Sequence, residues 1–225
     1  MSAPDMSASV PLILFGGTFD PIHRAHISAA RAVSKALGNA SVHLLPNAVP
    51  PHRPQPVASA EQRLTMLKIA IEPYPELIAD DRELRRSGPS WTIDTLIELR
   101  ASHPARPLVL ILGADSLANL HHWHRWQDYP GICHLAVLPR PGAPDPADEV
   151  LQAFPKTDAA SLLSRPAGRR MMLGAPYLDV SSSAIRRLLA EKGHCPSLDD
   201  AVLAHIRRHG LYTVAVDARP DDEDS

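Results

Sequence analysis

Short unbroken apolar runs alternate along the chain with stretches in which apolar residues return every three or four positions. The first pattern predicts buried strands and the second amphipathic helices. PLILF (Pro11 to Phe15) and SVHLLP (Ser41 to Pro46) are strands of this kind. Between them Ile27, Ala30, Val33 and Leu37 share one helix face, and Gly38 with Asn39 stops the helix. Two strands joined by a helix imply a right-handed parallel crossover.

The same reading carries through the rest of the chain. Prolines 50, 51, 54 and 56 exclude helix and predict a stiff extended loop. Ser59 and Gln62 form a capping box for a helix carrying Leu64, Leu67 and Ile71 inward. ELIADDRELRRSGPS predicts a short strand and a loop, and WTIDTLIELR a helix with Ile93, Leu96, Ile97 and Arg100 in phase. PLVLILGAD (Pro107 to Asp115) and GICHLAVLPRPG (Gly131 to Gly142) contain two central strands. Two short helices with a break between them are predicted in SLANLHHWHRWQDY, the second around Trp126. Residues 143 to 168 read as loop with one helix near Glu149 to Phe154, and RRMMLG as a last short strand. SSSAIRRLLAEKG is a helix with Ile185 and Leu188 or Leu189 facing in and Gly193 as its stop. SLDDAVLAHIRRHG repeats that logic, with Ser197 as cap and Gly210 as terminator.

Alternating strand and helix predict an α/β fold with an open, mainly parallel, doubly wound sheet and a small C-terminal helical portion at about 181–210. Residues 11–213 are expected to form a single domain, flanked by a flexible segment 1–10 and a disordered acidic tail 214–225. Ligands are expected beyond the carboxyl ends of the strands.

Composition narrows the function classes. The formal charge of -2 is dominated by the tail, where Asp217 to Ser225 hold five acids against one arginine, so the remainder is slightly basic. A body so nearly neutral, with 4% aromatic residues, carries no nucleic-acid stripe, and any anion site must be local. Cys133 and Cys195 are the only cysteines, which builds neither a disulfide framework nor a thiolate zinc site. The first ten residues have no basic start followed by an apolar stretch, and no run is long enough to span a bilayer. The expectation is therefore a cytoplasmic protein with no membrane partner.

The chemistry sits in the loops. GGTFDP after the first strand has neither G-x-G-x-x-G nor the P-loop lysine pattern. Its adjacent glycines still let backbone N–H groups approach an anion, and Pro21 suits entry into a helix. His23 and His26, three apart, share the inward side of the first helical turn. Phosphate binding, a structural histidine pair and a metal pair all remain open on this pattern alone. Ser181, Ser182 and Ser183 stand at another helix N-terminus with Arg186 one turn on, a second place for an anion or simply a serine cap. Gly113 and Asp115 close a buried strand where a carboxylate can meet a ribose. Trp123 is either core or a stacking platform.

Taken together, GGTFDPIHRAH and SSSAIRR resemble the paired H-x-G-H and I-S-S-T-x-I-R motifs of the nucleotidyltransferase superfamily. PNAVPPHR, SWTIDTL and GADSLANLHHWHRW further resemble the bacterial nicotinate-nucleotide adenylyltransferase family. The similarity runs from Phe15 to about Tyr212. Ala25 stands where that family usually has glycine, and Arg53 where many members have lysine. The resemblance implies a Rossmann-like nucleotidyltransferase fold and AMP transfer from ATP to the 5'-phosphate of nicotinate mononucleotide. It also implies Mg2+ held mainly by phosphates and water, with no protein ligand. Gly16, Gly17, Thr18 and Phe19 would line the nucleotides, and His23 and His26 would hold phosphates, His26 foremost. Ser182, Ser183 and Arg186 would grip the triphosphate, with His26, His23 and Arg186 as the catalytic set. Gly113 and Asp115 would contact adenosine. Arg53, Ser90, Thr92 and Trp123 would bind the second substrate, Trp123 by stacking, while Asp20 would orient either a loop or a ribose. His121 and His122 are expected to be exposed and uninvolved. Rival readings are a nicotinamide mononucleotide or phosphopantetheine adenylyltransferase, a nucleotide sensor without turnover, and a histidine-based metal protein.

Overall fold

A computed structural model describes residues 10–48, 55–86, 91–174 and 180–213. Arg53, Ser90, the N-terminal segment and the acidic tail lie outside the described residues. Six strands form one sheet: β1 (Leu12–Gly17), β2 (Val42–Pro46), β3 (Leu77–Ala79), β4 (Leu108–Gly113), β5 (His134–Leu138) and β6 (Arg170–Met172). They run in the order β3-β2-β1-β4-β5-β6, and every pairing is parallel. The expected mainly parallel sheet is thus wholly parallel among the described residues. The chain moves outward from β1 to β3, then returns to lay β4 on the other side of β1. The β1/β4 crevice is therefore the topological switch point, where α/β sheets receive ligands.

Alternate strand residues face opposite layers. Ile13, Phe15, Val42, Leu44, Val109 and Ile111 pack with the inner faces of α1 (Arg24–Ala36), α2 (Ala60–Ile71), α8 (Ser182–Lys192) and α9 (Asp200–Arg208). Leu12, Leu14, Leu108, Leu110 and Leu112 pack on the other side. Their partners there are α3 (Thr92–Ser102), α4 (Ala114–Ala118), α5 (Tyr129–Ile132) and α6 (Asp148–Ala153). Both faces are covered, which explains why the strands read as continuous apolar runs rather than alternating ones.

Several local expectations need correction. In α2 the buried face is Arg63, Met66, Leu67, Ala70 and Ile71, with Leu64 only half-buried. A fully buried arginine broke the apolar phase. In α3, Leu99 rather than Ile97 faces in, and Ile97 is exposed. Helix α9 is capped by Asp199, whose side chain accepts from the Ala201 N–H, rather than by Ser197. Ser197 uses its carbonyl to accept from the Arg24 N–H at 2.9 Å. A second helix, α7 (Ala159–Leu163), occupies the stretch read as loop, capped by Asp158 and anchored by the buried Leu162. The capping box at Ser59 and Gln62 is present, and Gly193 ends α8 at a φ of 63°. Among the described residues no helix is long and apolar enough to cross a membrane.

Candidate active site

Gly16 to His26 run on from the carboxyl end of β1, and Gly113 and Asp115 stand at that of β4. A Cβ added at Gly16 or Gly113 would meet nothing within 4 Å, so the space above both strand ends is open. Gly17 is different, because a Cβ there would stand 2.9 Å from the Phe19 ring. Phe19 takes a φ of 48° and buries its ring against His26, centroids 5.1 Å apart, edge to face. Gly17 thus makes room for Phe19, and Phe19 braces the second histidine.

His23 is the N-cap of α1 rather than part of its first turn, and Pro21 lies outside the helix. His26 is the third helical residue. The two rings stack with centroids 3.7 Å apart and an interplanar angle of 26°. Both Nδ1 atoms are shut off from solvent, and neither has a hydrogen-bond partner among the described residues. Two such nitrogens side by side on stacked rings, next to an open strand end, make this the candidate site. Burial pushes the His23 pKa down to about 4. Burial, with the neighbouring His23, also holds His26 well below the ordinary imidazole value. The pair is neutral near pH 7 and can become charged only where an anion offsets the desolvation.

The two motifs that are far apart in sequence meet here. The Ser182 hydroxyl donates to the Pro21 carbonyl at 3.2 Å, and Arg186 Nη1 donates to the Asp20 carbonyl at 2.7 Å. Arg186 Nη2 reaches Ser183 Oγ at 3.4 Å, while Ser181 caps α8 through the Ala184 N–H. The Asp20 carboxylate, 2% exposed, accepts from the Val57 N–H (2.9 Å), the Ala58 N–H (3.1 Å) and the Tyr212 hydroxyl (2.6 Å). The Asp20 carboxylate thus fastens the 57–58 segment, with both oxygens engaged by donors.

The β4 end is looser. Asp115, in the first turn of α4, pairs with Arg140, and both side chains are nearly half exposed. Trp123 meets the buried Tyr129 edge-on at 5.9 Å between centroids, and Thr92 is the first residue of α3. Trp123 is half-buried, His122 is exposed, and His121, expected to be exposed, is half-buried.

Sequence reasoning missed Arg63, Tyr129, Arg140 and Tyr212. Arg140 was visible as a cation just after a predicted strand, and Tyr129 as an aromatic within the tryptophan stretch. Nothing local distinguishes Tyr212. A cavity of about 420 Å³ lies behind His23, between α1, α2 and α9, and shares only His23 with the predicted site residues.

These features define a Rossmann-like α/β protein with its polar groups concentrated at the switch point. Residues 14–188 match the cytidylyltransferase-like family, and the chain belongs to it. A protein of Serratia proteamaculans (strain 568) described as "Probable nicotinate-nucleotide adenylyltransferase" is 45% identical over 206 residues, covering 88% of this chain and 94% of that one. A protein of Pectobacterium atrosepticum with the same description is 45% identical over 210 residues, covering 88% and 96%. Among solved structures, Plasmodium falciparum nicotinic acid mononucleotide adenylyltransferase complexed with NaAD superposes with a TM-score of 0.72 at 18% identity. It covers 90% of this chain and 97% of that one.

Proposed function

We propose that the protein transfers AMP from ATP to the 5'-phosphate of nicotinate mononucleotide, releasing pyrophosphate and forming nicotinate adenine dinucleotide in the cytoplasm. One observation carries the reading. A stacked, neutral histidine pair with unpartnered buried nitrogens follows the open end of β1, and the Asp20–Pro21 backbone just before it is bonded to the serine and arginine start of α8. The similarity to bacterial nicotinate-nucleotide adenylyltransferases supplies the substrate pair.

The chemistry suits these residues. A phosphate monoester is largely dianionic at pH 7, its second pKa being about 6, so the nucleophile needs no general base. What the chain must supply is alignment of two anions and stabilisation of charge on the α-phosphate and leaving pyrophosphate. His23 and His26 approach from α1 and Arg186 with Ser182 and Ser183 from α8, while Gly16, Gly17 and Thr18 let the phosphates close to the backbone. Gly113 and Asp115 would contact the adenosine. Trp123, edge-on to Tyr129, and Thr92 would hold the pyridine ring, and Ser90 and Arg53 would contact the second substrate. Both Asp20 oxygens are engaged by N–H and O–H donors, and one Asp115 oxygen is paired with Arg140. This donor set fits magnesium arriving on the nucleotide, held by phosphate oxygens and water, where it would neutralise triphosphate charge.

The test offers ATP with nicotinate mononucleotide, nicotinamide mononucleotide or phosphopantetheine and measures pyrophosphate. Fast release with the first acceptor and slow release with the others is expected. Release with none of them contradicts the assignment.

A further inference from the structure

The Asp20 carboxylate sits in a network larger than a loop fastening requires. Arg63 on α2 is 1% exposed, and its guanidinium donates to the Thr18 carbonyl at 2.7 Å and the Ala48 carbonyl at 3.0 Å. Thr18 belongs to the glycine loop and Ala48 follows β2. Asp20 fastens Val57 and Ala58 on the way back. The connection from β2 to α2 is therefore tied at both described ends by one buried acid and one buried base. The Tyr212 hydroxyl, beyond α9 and outside the matched stretch 14–188, closes the network onto Asp20 at 2.6 Å.

Charge explains why this matters to ATP. One carboxylate faces two guanidinium groups, so the cluster holds a surplus positive charge. Arg186 Nη1 donates to the Asp20 backbone carbonyl at 2.7 Å and makes only a long ion pair, 3.6 Å, with its carboxylate. A buried carboxylate with fewer donors would draw that guanidinium into a tight ion pair and spend its charge. Two N–H groups and the Tyr212 hydroxyl occupy the carboxylate instead.

We propose that Tyr212 and Arg63 are positioning residues, Tyr212 by satisfying and immobilising Asp20 and Arg63 by fixing the Thr18 carbonyl, so that Asp20 forms no tight ion pair with Arg186 and most of the Arg186 charge is left for a triphosphate at the rim of the glycine loop. The inference rests on the assignment of the crevice to ATP. It gives the C-terminal end of the chain a part in nucleotide affinity, although Tyr212 touches no substrate. Arg63 works from the opposite side by fixing the Thr18 carbonyl.

The experiment compares full-length wild type, Tyr212→Phe and Arg63→Lys, with Val150→Ala as a control. Val150 is fully buried in the other core, away from the network. ATP affinity is read by calorimetry with MgATP alone, Tm by melting, and KM for each substrate from pyrophosphate release. Tyr212→Phe is expected to weaken ATP binding at least fivefold and move KM for nicotinate mononucleotide less than twofold. Val150→Ala, at an equal or larger loss of Tm, is expected to leave ATP binding unchanged. If Tyr212→Phe fails to fold, Arg63→Lys reads the same effect, because lysine keeps the charge but can hold only one of the two carbonyls. Unchanged ATP affinity in a folded variant overturns the proposal, as does an equal loss in Val150→Ala. If wild type binds ATP yet releases no pyrophosphate with nicotinate mononucleotide, the activity assignment fails while the ATP affinities still decide the role of Tyr212.

Discussion

At the carboxyl end of β1, His23 is 4% and Asp20 2% exposed, and the groups around them are hydrogen-bonded into α1, α2, α8 and the chain beyond α9. At the carboxyl end of β4, Asp115 and Arg140 are 42% and 48% exposed, and Trp123 rests on Tyr129 by one edge. The contrast follows from what each end is asked to do. Charge developing on phosphates is stabilised best by groups already fixed in a dry setting. On the proposed function the β4 end takes the adenosine and, at Trp123, the pyridine ring. These planar groups need a surface and one or two directional contacts, which half-exposed side chains provide.

Breaking the fixed end should cost most. His26→Ala is expected to lower turnover at least tenfold, about 1.4 kcal/mol or more in the barrier, with the protein still folded by circular dichroism. Near-normal turnover would make the histidines a packing pair. At the loose end, Trp123→Ala should raise KM for nicotinate mononucleotide several-fold and leave ATP affinity within a factor of two. Equal losses for both substrates would erase the distinction between the ends.

The fixed end also predicts a pH dependence of stability. His23 titrates near 6.5 when unfolded and about 4 when folded, so between those values the unfolded chain binds the extra proton. Stability should therefore fall as pH is lowered from about 6.5 towards 4, and the fall should be shallower in His23→Gln. An unchanged slope would mean that other groups carry it. The smallest effect is expected at Ala25, the second residue of α1 and only half-buried, whose methyl replaces the family's usual glycine. Ala25→Gly should change KM for ATP less than threefold, and a larger gain would show that the methyl crowds the nucleotide.

The contrast between the two ends also explains what could be read from sequence. Apolar runs buried on both sides, helix periods and glycine stops are local signals, so the sheet, the capping box at Ser59 and the end of α8 at Gly193 were legible. The α2 phase was not, because the buried face begins with Arg63, a charge whose partners are carbonyls 45 and 15 residues away in the chain. The Ser197 cap failed for a related reason, since Asp199 beside it competes with a stronger acceptor. In the site, residue types and spacing announced the histidines, serines and Arg186. Their mutual placement, Phe19 as a brace, and the bond from Tyr212 to Asp20 across 192 positions are tertiary facts.

Nitrogen-15 spectra of the histidine rings, recorded with and without MgATP, probe the phosphate cradle most directly. His134 is an internal control, buried with one ring nitrogen at 2.9 Å from the Arg165 carbonyl and the other accepting from the Arg169 N–H at 3.1 Å. The expected result is two rings, His23 and His26, neutral in the free protein and strongly shifted towards hydrogen-bonded or protonated nitrogens on ATP binding, with His134 unmoved. ATP binding that leaves His26 unshifted would contradict the account.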